Sequence, residues 1–126
     1  GWTLTPWSAL WYSGTLKTGN GALRLSGGGS AERTVDTSGR SGLQWLFSLA
    51  GAGLEPGDRL LAEYNHSGTW ITAAVLDSSD PAFVFKDYRI NLPAEANDNP
   101  QLGLRFRLEG DNEDYGVIDR VLLSGN

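Results

Sequence analysis

An all-β chain folded as a jelly-roll β-sandwich is the architecture this sequence predicts, on three observations. Apolar and polar residues alternate with a period of two along most of its length. No window of a dozen residues sustains the roughly 3.6-residue spacing of an amphipathic helix. Clusters of Gly, Asp, Asn, Ser and Pro, such as "SGRSG", "GLEPGD", "LDSSDP" and "EANDNP", punctuate the alternating runs and supply turn geometry. A chain of 126 residues is expected to form one domain, residues 1–126, around a single core. Two antiparallel sheets packed face to face accommodate about eight short strands with regular turn spacing.

The strands are expected, in order, at "GALRLSG", "SAERTVDT", "GLQWLFSLA", "DRLLAEYN", "TWITAAVL", "FVFKDYRINL", "QLGLRFRLEG" and "YGVIDRVLLSG". In "GLQWLFSLA", alternation turns Leu43, Trp45, Phe47 and Leu49 inward and leaves Gln44, Leu46 and Ser48 outward. "DRLLAEYN" divides into Leu60, Ala62 and Tyr64 against Arg59, Leu61, Glu63 and Asn65. "DRLLAEYNHSGTWITAAVL" is the clearest hairpin, because "NHSG" separates two strand-like runs and Asn65 and Gly68 tolerate positive φ; both arms are expected to be central. In "QLGLRFRLEG", Leu102, Leu104, Phe106 and Leu108 share one face, so Arg105 and Arg107 stand side by side on the other. If these strands are neighbours, one outer face carries Gln44, Ser48, Glu63, Asn65, Arg105 and Arg107, interrupted by Leu46 and Leu61. Such a mixture of donors, acceptors and small apolar patches suits a sugar.

Composition narrows the chemistry. Without cysteine or methionine there is no disulfide, thiolate nucleophile or cysteine zinc site, and the 17 glycines agree with many turns. A net charge of -5 argues against a protein that tracks nucleic-acid phosphates. No apolar stretch approaches the roughly 20 residues needed to span a bilayer as a helix. The start, "GWTLTPWSAL", has neither a basic leader nor a cleavage-like segment, as expected of a trimmed module whose targeting signal is lost or lies elsewhere.

Catalytic apparatus is hard to find. His66, the single histidine, falls in the hairpin turn, and there is no Gly-x-Ser-x-Gly elbow, His-Glu-x-x-His pair or phosphate-cradling loop. Glu63 is one candidate carboxylate for glycoside hydrolysis, but no second inward acid faces it. Aromatic rings are more informative, because a coplanar Trp or Tyr buries the C–H face of a sugar while polar neighbours hold its hydroxyls. Trp45 and Tyr64 are expected in the core by alternation. "WTLTPWSALWYSG" crowds Trp2, Trp7, Trp11 and Tyr12 into a short stretch, and Trp7 is the expected ligand-facing ring. Arg105 and Arg107 suit two roles: gripping a carboxylate or sulfate on a polysaccharide, or pairing across strands with Glu63 or Glu109. Near the end, "EGDNEDYGVIDR" gathers four acids from Glu109 to Asp114, with Asp119 following on the last strand.

Taken in order, "GALRLSGGGSAERTVDTSG", the "LEPGD" turn, the "GTW" after the hairpin, "LGLRFRLEG" and "DYGVIDRVLLSG" resemble a recurrent β-sandwich module of secreted bacterial proteins, similar to carbohydrate-binding modules and MAM-type domains. The resemblance covers nearly the whole chain and rests mainly on scaffold motifs. It implies a core position for Trp70 and a structural calcium tied to an Asp on the last strand. Asp119 matches that position, no acid precedes Trp2, and Asp114 or backbone carbonyls would supply the remaining ligands. It further implies a non-catalytic, extracellular module that binds a polysaccharide or oligosaccharide and targets a linked catalytic domain of a secreted enzyme to it. The alternative is a protein-interaction, adhesion or stabilising accessory domain of a secreted hydrolase or protease.

Overall fold

The computed structural model describes the backbone of residues 2–4, 11–13, 16–19, 22–26, 29–110 and 114–126, and side chains within 23–25, 29–110, 114–119 and 121–126. Its strands are β1 (Trp2–Leu4), β2 (Trp11–Ser13), β3 (Leu16–Gly19), β4 (Ala22–Ser26), β5 (Ser30–Val35), β6 (Gln44–Ala52), β7 (Arg59–Asn65), β8 (Ile71–Asp77), β9 (Lys86–Asn91), β10 (Leu102–Glu109) and β11 (Tyr115–Gly125). They form two antiparallel sheets. The six-stranded sheet runs β3-β4-β11-β6-β9, with β1 also paired to β11, and the five-stranded sheet runs β2-β5-β10-β7-β8. This is the expected all-β sandwich.

Alternation placed the core correctly. Leu43, Trp45, Phe47 and Leu49 from β6 and its approach meet Leu102, Leu104, Phe106 and Leu108 from β10, all buried, between the two sheets. Three rings form the centre: Trp45 lies 4.7 Å from Phe47 and 5.1 Å from Phe106 by centroid, and Phe47 meets Phe106 edge-on at 5.2 Å. Burying each such side chain contributes about 1.5–3 kcal/mol. Tyr64 is half-buried against this core, as its alternation requires. Close approach of the sheets depends on Gly116, where a Cβ would stand 2.8 Å from a Leu60 methyl group.

Three expectations need correction. β8 is an edge strand rather than a central arm of the hairpin. The hairpin turn itself closes through the Asn65 side chain, whose Oδ1 accepts from the Ser67 and Gly68 backbone N–H groups, while Gly68 alone of the pair takes positive φ, at 103°. "FVFKDYRINL" is strand only from Lys86. Ahead of it Phe83 adopts φ 61°, its N–H donates to the Gly51 carbonyl at 2.9 Å, and Phe83, Val84 and Phe85 are exposed.

Candidate functional site

Register brings four of the expected site residues together. Arg105 of β10 stands opposite Glu63 of β7 on one side and Glu32 of β5 on the other, and Arg107 stands opposite Leu61 and Ser30. One row along, Gly103 faces Asn65. Glu63, Asn65, Arg105 and Arg107 therefore share the outer face of the five-stranded sheet.

Gln44 and Ser48 do not belong to that face. Both lie on β6 in the other sheet, Gln44 opposite Asn91 and Ser48 opposite Asp87, so the single polar face expected from the sequence is two faces on opposite sides of the sandwich. Gln44 donates from Nε2 to Asn91 Oδ1 at 3.0 Å. Trp7, the ring expected to meet ligand, lies outside the described residues.

Glu63 is the hub of the first face. It is 4% exposed, and both arginines converge on it. Arg105 donates from Nε to Oε1 at 3.0 Å, with Nη2 2.9 Å from the same oxygen; Arg107 donates from Nε to Oε1 at 3.0 Å and from Nη2 to Oε2 at 3.3 Å. Glu109 continues the chain of charges, with Oε2 3.5 Å from Arg107 Nη1 and Oε1 paired to Arg59. Burial pushes the Glu63 carboxyl up, but the Arg107 hydrogen bond, the two guanidinium charges and the Arg105 hydrogen bond outweigh it and hold the group below the usual carboxylate range. An ionised, clamped carboxylate is a poor general acid. Of the two roles open to the arginines, cross-strand pairing with Glu63 is the one realised, and Glu109 joins Arg107 from two residues along the same strand.

Trp70, expected in the core from the resemblance, is placed elsewhere. Instead of entering the core it folds over the outer face. The Arg105 guanidinium carbon lies 4.0 Å from its ring centroid, and its Cη2 comes within 3.0 Å of where a Gly103 Cβ would stand. Gly103 makes room for the ring, and the β10 arginine stacks on it. The pairing of Gly103 in "QLGLRFRLEG" with a Trp just after a hairpin turn was the available signal. His66 stays in the turn, its ring 6.1 Å from Tyr64 and its carbonyl accepting from Asn99 Nδ2 at 3.1 Å.

The acids expected to share calcium are separated. Asp114 is buried, with Oδ2 2.7 Å from where a Gly110 Cβ would stand. Asp119 belongs to the opposite set of β11, in register with Ser48. Tyr115 to Asp119 alone spans roughly 13 Å of extended strand, whereas calcium draws its oxygens to within about 2.6 Å, so these two carboxylates do not share one ion. Among the described residues no three His, Cys, Asp or Glu side chains gather as a metal site.

No protein-family model matches the chain, and no curated protein does. Solved structures do. The module TmCBM61, solved in complex with beta-1,4-galactotriose, superposes with a TM-score of 0.69 at 13% identity, covering 94% of this chain and 90% of that one. The N-terminal cellulose-binding domain of Cellulomonas fimi beta-1,4-glucanase C gives 0.50 at 21% identity, covering 93% and 88%. The fold is thus a β-sandwich of the carbohydrate-binding-module type.

Proposed function

We propose, from a fold shared with carbohydrate-binding modules, that this chain is a non-catalytic module that holds a neutral polysaccharide against the outer face of its five-stranded sheet. Trp70, laid over Gly103 beside the Arg105–Glu63–Arg107 clamp, is the observation that carries this reading. A pyranose stacks its C–H face on the indole, while guanidinium N–H groups and the Asn65 amide meet its hydroxyls. The clamp favours a neutral chain over an acidic one: Glu63 and Glu109 already pair with the arginines, and a ligand carboxylate or sulfate would have to displace them.

Its role is to raise local substrate concentration for a linked, extracellular catalytic domain by weak, reversible attachment. Nothing in the face calls for chemistry of its own. Calorimetry against a panel of neutral oligosaccharides, β-1,4-galacto- and cello-oligosaccharides among them, tests the reading, with Trp70→Ala as the control. Binding by the wild type that weakens at least about tenfold in Trp70→Ala is expected, equivalent to about 1.4 kcal/mol. A panel without binders, or a Trp70→Ala protein that binds like the wild type, sinks it.

A further inference from the structure

The other outer face has equipment that the first site leaves unused. Between β6 and β9 lies a depression of about 310 Å³ lined by Leu46, Phe47, Ser48, Asp87, Tyr88 and Arg89. That volume is at the lower end of the range for ligand sites, about 300–1,000 Å³, and suits a short stretch of sugar rather than an extended chain.

Its chemistry is laid out by register. Ser48 stands opposite Asp87 and Leu46 opposite Arg89, so an acceptor row and an apolar–cationic row lie side by side, and Gln44 and Asn91 add an amide pair one row further. Ser48, 2% exposed, donates from Oγ to Asp87 Oδ1 at 2.5 Å, which fixes the carboxylate as an acceptor above the floor. Asp87 and Arg89 are exposed and of opposite charge, so the depression offers hydrogen bonding in both directions without a net charge. Leu46 supplies an apolar patch between them.

We infer that this depression is a second saccharide site, for one or two residues of a neutral glycan, with Asp87 and Arg89 as its hydrogen-bonding pair and Leu46 as its apolar contact. The inference shares with the proposed function the premise that the chain binds neutral sugar, but uses different residues on the opposite sheet. Two stacked sheets keep such sites about 10 Å or more apart through the core. A short oligosaccharide cannot lie on both faces, so each chain takes two ligands.

Backbone chemical-shift mapping and calorimetry with β-1,4-galactotriose and cellotetraose test this on the intact chain. Shifts at residues 44–48 and 85–91 as well as 61–65 and 103–107 are expected, with two ligands per chain. Stoichiometry should fall to one in Trp70→Ala, and also to one in the exposed double variant Asp87→Asn/Arg89→Gln, whose melting temperature checks that it folds. Shifts confined to 61–65 and 103–107, with a single site abolished by Trp70→Ala, overturn the second site and leave the first standing. Shifts confined to 44–48 and 85–91 do the reverse. An absence of any shift with both sugars overturns the second site, and the wider oligosaccharide panel then decides the first.

Discussion

Glu63 shows how much one side chain can organise. It sits on the solvent side of a sheet by alternation, yet it is buried, because two arginines from the neighbouring strand close over it. Replacing it with Gln removes the charge and leaves both guanidiniums facing a neutral amide. The arginine side chains are 19% and 33% exposed, so solvent screening reduces the cost of breaking a fully buried pair, and Glu63→Gln is expected to lose about 2–3 kcal/mol of stability by denaturant titration. The pH dependence has a definite sign. A carboxyl held below its unfolded value stabilises the fold fully above about pH 4.3, and that contribution is lost as pH falls through the depressed folded value. Wild-type stability should therefore drop more steeply below about pH 4 than that of Glu63→Gln, and equal slopes would remove Glu63 from the account.

Strands were legible where the pattern is local, and illegible where it depends on partners. Period-two alternation fixed the inward sets of β6, β7 and β10 because each residue's face follows from its own strand. It could not say which sheet a strand joins, so Gln44 and Ser48 were grouped with Arg105 although β6 and β10 lie in different sheets. Trp70 was misread for a related reason: it precedes β8, and its position depends on a gap at Gly103, two strands away. β1, β2 and β3 span three or four residues each, too short for alternation to register. The same geometry bears on β11. Asp114 lies buried just before β11 and Asp119 within it, opposite Ser48, so the melting temperature is expected to stay within about 1 °C on adding calcium or a chelator. A calcium-dependent rise of several degrees would instead reveal an ion held by one acid with backbone carbonyls.

For the whole molecule, charge separates a neutral ligand from an acidic one. The chain carries a net charge of -5, and Arg59, Arg105 and Arg107 on the Trp70 face lie among Glu32, Glu63 and Glu109, which weakens any pull on a polyanion there. Affinity for a neutral glycan should change less than about twofold between roughly 50 mM and 500 mM salt, whereas attraction to a uronate or sulfated polymer would collapse over that range. Calorimetry at the two salt concentrations decides between them. On the proposed reading, the clamp around Glu63 also shapes the thermodynamics of capture. Long arginine side chains normally lose rotamer freedom when they meet a ligand, at about 0.5–1.5 kcal/mol each. Here Arg105 and Arg107 are already immobilised, one between a carboxylate and an indole, the other between two carboxylates, so that entropy is surrendered during folding rather than at encounter. If the proposed face binds sugar, it thereby retains about 1–3 kcal/mol that a mobile pair would forfeit at each encounter.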